Sequence, residues 1–268
     1  MKLLSKITPA ETILIKECGD AQLKNLLRFT FMDLLLKKVI KIVEEDKQPH
    51  PRDQVRTYTY VESGKNFNSY KPKNHELIFM SPFVEEELIQ ILFKHFVKII
   101  YDASGGKKNY RESIKSNETQ KHYFNQSFFI NLFRFVRLTK EGEKVKQEIT
   151  AYLKEVDENI GDLLENDQKK ALELLVNIGG NIFLIRNLDF DLLKKIDKEL
   201  LNQHKALHEN IDHYDDGWYL FEDSYLFEDS LDSFFYDTID SFDSEFDASS
   251  CSSCDSGCSS CGGCGGCD

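Results

Sequence analysis

A mainly α-helical fold with small β wings, built as tandem winged-helix-like units and followed by a disordered tail, is predicted by three features of the 268-residue sequence. Apolar residues recur at three- and four-residue steps through most of the first 200 positions, the period of helices that bury one face. Two short β-branched stretches follow the second such run, as in a helix pair closed by a hairpin. The last 58 residues, from Ile211 on, contain no Lys or Arg and hold six of the seven cysteines, so they obey a different composition from the rest.

The first unit is placed at residues 1–75. Thr8-Pro9-Ala10-Glu11 combines a hydroxyl for the N-cap, a proline at the first helical position and a glutamate three residues after the cap, so a helix starts there. It should stop near Cys18-Gly19, with Gly19 taking the left-handed position and Asp20 capping a second helix. Leu23, Leu26, Leu27, Phe31, Leu34 and Leu35 form the inward stripe of that helix, with a break expected near Thr30. Val39–Val43 and Val55–Val61 then read as two strands on either side of a turn that contains Pro49 and Pro51.

The second unit, residues 76–210, repeats the order. Ser81-Pro82 opens a helix whose inward face is Leu88, Ile91, Leu92, Phe96 and Ile99, and Gly105-Gly106 ends the connection to the next element. Residues 123–135 supply an aromatic-rich helix, and Val136–Thr139 a strand. Leu138-Thr139-Lys140-Glu141-Gly142 has the look of a wing strand turning into a helix. Further helices are expected at 144–164, 168–178 and 191–208. Gly179-Gly180 marks a turn before Asn181–Ile185, which is read as a strand or a buried helical segment.

Of the formal charge of −12, the last 58 residues carry −15, while the first 210 balance 34 cations against 31 acids. A body this close to neutral is a weak attractor for nucleic acid, which needs a clustered basic face. Mean hydropathy is −0.44, and no apolar run approaches 20 residues, so no membrane partner is expected. The N-terminus shows no secretory pattern, and the expected location is cytoplasmic.

Residues 211–250 are read as an acidic, aromatic, disordered linker. Tyr219–Ser224 is repeated residue for residue at Tyr225–Ser230, and further rings continue among Asp and Ser. Self-repulsion opposes collapse, while the rings suit an anchor for a modifying enzyme or another protein partner. The same stretch can reach back to cations of its own body, near Lys107-Lys108 or Lys140–Lys146.

The tail, residues 251–268, spaces Cys251, Cys254, Cys258, Cys261, Cys264 and Cys267 three or four apart among Ser and Gly. Paired thiolates at this spacing can turn toward one soft ion, and four close a tetrahedral site, which points to zinc or Cu(I). Post-translational modification of the Cys and Ser side chains uses the same accessible chain. Disulfides come third, since six cysteines allow 15 pairings and a cytosolic address disfavours stable bridges. His204 and His208, with Asp212 and His213 nearby, form a weaker metal candidate. Lone Cys18 reads as a packed residue.

With Ile7-Thr8-Pro9-Ala10-Glu11 at one end and the Gly/Ser/Cys-rich terminus at the other, the chain resembles an uncharacterised bacterial family with a helical, winged-helix-like domain and a low-complexity C-terminus. The resemblance spans most of residues 1–205 and the extreme tail. The chain departs from many such proteins in lacking membrane spans and in its long acidic-aromatic segment, so membrane attachment is not carried over, and the family has no established activity to carry over. No Walker loop, Rossmann glycine pattern, Gly-x-Ser-x-Gly or His-Glu-x-x-His occurs, so catalytic residues are not assigned and an enzyme is not expected. The expected role is a scaffold or carrier that presents the cysteine tail. The alternative is a winged-helix DNA-binding regulator, reading DNA with a helix near 21–37 or 121–135.

Overall fold

In the computed structural model the described residues are 3–50, 52–84, 89–118, 120–125, 136–188 and 234–252. They are mainly helical with one small antiparallel sheet. Helix α1 (Pro9–Glu17) begins as its sequence requires. The Thr8 hydroxyl accepts from the Glu11 amide at 3.3 Å, and the Glu11 carboxylate accepts from the Thr8 amide at 2.7 Å, with proline at the first position. Its end differs in one residue: Cys18, not Gly19, takes the positive φ of +52°. The Cys18–Asp20 turn is held from outside, because the Arg111 guanidinium donates to the carbonyls of Gly19 at 2.6 Å and Ala21 at 3.1 Å. Asp20 is therefore spent in the turn, and Gln22 precedes the next helix without a side-chain cap.

Helix α2 (Leu23–Leu36) is the centre of the body and buries Leu26, Leu27, Thr30, Phe31, Met32, Asp33 and Leu34. The expected break at Thr30 is absent, since its hydroxyl donates back to the Leu26 carbonyl at 2.8 Å and so needs no interruption of the helix. Strands β1 (Ile40–Lys47) and β2 (Arg56–Ser63) form the expected hairpin, pairing antiparallel with Ile40 opposite Ser63 and Lys47 opposite Arg56, and β1 runs on past the expected end at Val43. Gly64 follows because the chain passes so close to Lys38 that a Cβ would lie 2.1 Å from its carbonyl oxygen.

The next region corrects several expectations. Ser81-Pro82 opens only one 3₁₀ turn (Ser81–Phe83) after the short helix α3 (Leu77–Met80). Ile91 and Leu92 form strand β3, paired with β2 through Tyr60 and Val61, so they complete the sheet instead of facing inward from a helix. Helix α4 (Phe93–Ala103) buries Phe93, Phe96, Val97 and Ile100, while Ile99 is 40% exposed. Leu88 lies outside the described residues. Gly105, at φ +60°, turns the chain into α5 (Gly106–Lys115).

Most of the helix expected at 123–135 also lies outside the described residues, and the strand expected at Val136–Thr139 is reduced to a single bridge between Phe124 and Leu138. Thr139 caps α6 (Lys140–Asn166), accepting from the Gly142 amide at 3.1 Å. The helix consequently starts four residues before the apolar pattern suggested. Val145, Ile149, Leu153, Val156, Ile160 and Leu164 form its buried stripe. Helix α7 (Gln168–Ile178) matches expectation, and Gly179–Leu184 adopts the helical alternative as a 3₁₀ segment.

Buried side chains before and after residue 75 belong to one continuous cluster, and β3 crosses from the second expected unit into the sheet of the first. Residues 234–252, expected within the disordered linker and tail, form helix α8 (Phe234–Ser252). No helix among the described residues is long and apolar enough to cross a membrane.

Candidate functional site

Helix α8 takes the described structure as far as Cys251, the first of the six tail cysteines, and Ser252. Phe242, Phe246 and Ser249 recur at four- and three-residue steps and are all buried. The Phe242 ring is 1% exposed and stacks on Phe31 of α2, centroids 5.5 Å apart. Phe31 in turn meets Phe93 and Phe96 of α4 at 5.8 and 5.9 Å. Phe246 sets its edge against Tyr101 at 5.2 Å. Each such ring contributes roughly 1.5–3 kcal/mol by leaving water.

Asp243 and Asp247, each the residue after one of these rings, face cations of α2. Arg28 donates to Asp243 at 2.7 Å, and Lys24 to Asp247 at 2.9 Å while lying 3.9 Å from Asp243. Within the described part of the acidic segment, Asp243 and Asp247 therefore pair with Arg28 and Lys24 of α2, and no ion pair among the described residues joins α8 to Lys107-Lys108 or Lys140–Lys146; residues 211–233 lie outside the described residues. Lys107 instead donates to Gln22. Repulsion between Asp243 and Asp247, one turn apart, is offset by the lysine that sits between them. The arginine pair is single-pronged, because Arg28 Nε and Asp243 Oδ1 are both buried without a hydrogen-bond partner.

Cys251 lies in the last turn of α8. Cys254, Cys258, Cys261, Cys264 and Cys267 lie outside the described residues, as do His204, His208, Asp212 and His213. Among the described residues no three His, Cys, Asp or Glu side chains gather as a metal site. Cys18 is half-buried, its thiol donates toward the Ile15 carbonyl at 3.5 Å, and burial pushes its pKa up.

A second cluster was not visible in the sequence. The first turn of α1 is inserted into a buried polar network drawn from four other segments. Glu11, fully buried, accepts from Lys73 at 2.5 Å and from the Asn117 amide at 3.0 Å. Asn117 also donates to His75 Nδ1 at 3.0 Å and accepts the Asn74 backbone N–H at 3.2 Å. Since Nδ1 must accept, the remaining proton of the ring sits on Nε2, which donates to the Thr8 hydroxyl at 3.2 Å. Asn181 ties the other side, accepting from Thr12 at 2.6 Å and donating to the carbonyls of Leu4 and Ile7 at 2.9 Å each.

A neighbouring charged group lies on α2. Lys37 donates to Asp33 at 2.7 Å and to Tyr70 at 3.2 Å, and Tyr70 donates to Glu76 at 2.9 Å. Burial alone would lower the Lys37 pKa, but Asp33, Tyr70 and Glu76 together overcome it and hold the ammonium charged. Burial raises the carboxyl pKa of Glu76, opposed by Lys37 and by the Lys73 amide. The fully enclosed His75 is held neutral, its pKa driven well below the ordinary value first by burial and then by the charges of Lys73 and Lys37. The ring nitrogens are both engaged and His75 has no exposed surface, so this arrangement fixes segments to one another; it does not present a base to a substrate.

Comparison with protein-family models, characterised proteins and solved structures returns no match.

Proposed function

We propose that the protein is a non-enzymatic carrier whose folded body presents the C-terminal cysteine tail to a soft metal ion or to a modifying enzyme. The observation that carries this reading is the burial of Phe242 against Phe31, nine residues before Cys251. A chain end with no role in common with the body has no need of an aromatic anchor at that boundary. The anchor stands just before the Gly/Ser/Cys sequence begins. Six thiols in that sequence offer four for one tetrahedral zinc or several arrangements for Cu(I). Ser and Gly between them leave every sulfur within reach of a modifying enzyme as well.

The acidic aromatic segment has a divided role in this proposal. Its α8 half uses Phe242 and Phe246 internally, which leaves the Tyr219–Ser230 repeat as the part suited to a protein partner. The body is read as winged-helix-like, with α1, α2 and the β1–β2 hairpin as its first unit. For the DNA-binding alternative, α2 is a poor reading head, because it is enclosed by α1, α4, α5 and α8.

Intact mass of the protein from its native host, before and after thiol alkylation, together with its metal content, tests the proposal. Mass change confined to the tail supports modification. Free thiols with bound zinc or copper, lost when the six tail cysteines are changed to serine, support coordination. Free thiols, no metal and an unaltered tail mass overturn both.

A further inference from the structure

The geometry around His75 points to a function separate from that of the tail. We propose that His75 and Asn117 form an acid-sensitive latch that fastens the start of α1 to the 73–76 segment and the end of α5, and that opens when the imidazole takes a second proton. The latch has a direction that leaves no freedom for that proton. The Asn74 N–H fixes Asn117 Oδ1, Glu11 fixes one hydrogen of the Asn117 amide, and the other hydrogen points at His75 Nδ1. A proton on Nδ1 would set two donors against each other at 3.0 Å. Turning the Asn117 amide over to accept from the ring would direct its NH₂ at the Asn74 N–H and its oxygen at the Glu11 carboxylate. Every way of accommodating the charge breaks a bond to a buried group.

The surroundings add to this. The charge of Lys73 acts on the ring from its own segment, with Glu76 next to it in the chain, and the Tyr110 ring of α5 meets it edge-on at 6.3 Å. Glu11 of α1 is reached through Asn117, and Lys37 with its partner Asp33 lies on α2. Glu11 is the anion nearest in the network, but its two oxygens are already taken by Lys73, Asn117 and the Thr8 amide. Asn117 bonds both Glu11 and the ring and so stands between them. Glu76 is likewise occupied by Tyr70 and the Lys73 amide. The low proton affinity of the enclosed ring agrees with this geometry. Because the unfolded chain binds the proton more readily, latch closure is fully supported above about pH 6.5 and is lost as pH falls below it, by up to about tenfold in the equilibrium per pH unit.

The test uses the full-length protein. Nitrogen-edited NMR of the His75 ring should show the neutral Nε2–H form at pH 7. Protection of the Glu11 and Asn74 amides against hydrogen exchange, taken relative to the intrinsic exchange rate at each pH, should fall as pH falls from 6.5 to 5.5. Denaturant unfolding of His75→Gln, which cannot acquire the charge, should lack the wild-type loss of up to about tenfold in the folding equilibrium across that unit. A ring that gains its second proton while both amides stay protected overturns the latch, as does a His75→Gln profile parallel to wild type. If the variant does not fold, the ring and amide signals of the wild type decide the question by themselves.

Discussion

Both α1 and α8 pack against α2, and they are fastened by opposite means. The first turn of α1 is threaded by directional bonds between buried groups: Glu11 to Lys73 and Asn117, Thr8 to His75, and Thr12 to Asn181. Helix α8 is held by two rings and by ion pairs whose side chains keep a quarter or more of their surface in water on at least one side. Directional buried bonds specify one arrangement and are costly to break singly. Ring burial is indifferent to small shifts, and half-exposed charges are screened by salt. One end of the chain is thus built to stay, and the other to be held at moderate strength.

Glu11 is the point at which the α1 attachment is most exposed to a single substitution. Glu11→Ala strands Lys73 and Asn117 and removes the capping carboxylate together, and should cost about 3–5 kcal/mol of global stability in urea unfolding. Phe242→Ala should cost about 3 kcal/mol, but locally: far-UV circular dichroism and proteolysis should show α8 released while the body keeps its cooperative transition. A common transition lost in both variants would mean that α8 is as integral as α1. Thr8→Ala, which removes the cap and the acceptor for His75, should cost about 1–2 kcal/mol. Asp247→Asn should cost at most about 1 kcal/mol, and the difference from wild type should vanish in 1 M salt. A comparable loss of salt dependence in Thr8→Ala would remove the contrast between the two ends.

What the sequence made legible was local. The Thr8–Glu11 cap, the β1–β2 pairing and α7 all follow from residues within a few positions of one another or from simple alternation. Glu11 was recognised as a capping residue, yet its other partners stand 62 and 106 positions away, and no pattern in one sequence joins them. The adjacent His75-Glu76, polar residues with no surface exposure, gave no signal because their burial is created by the fold. Helix α8 was missed for a related reason. Its acids look self-repelling when read along the chain, and the cations that answer them, Arg28 and Lys24, lie 215 and 223 residues earlier. Ile91-Leu92 was assigned to a helix because two apolar residues fit either period, and only the exposed edge of β2 decided between them.

The turn at Cys18 carries a consequence for work on the other six sulfurs. Its thiol is shielded, directed at the Ile15 carbonyl and reluctant to ionise, and it sits on the non-glycine bend at φ +52° that Arg111 clamps. In a timed alkylation of the whole protein it should react last, and faster once that bend opens. A single mass spectrum then reads two quantities: early adducts count the sulfurs of the terminus, and the final adduct serves as a stopwatch on the integrity of the globule that bears them.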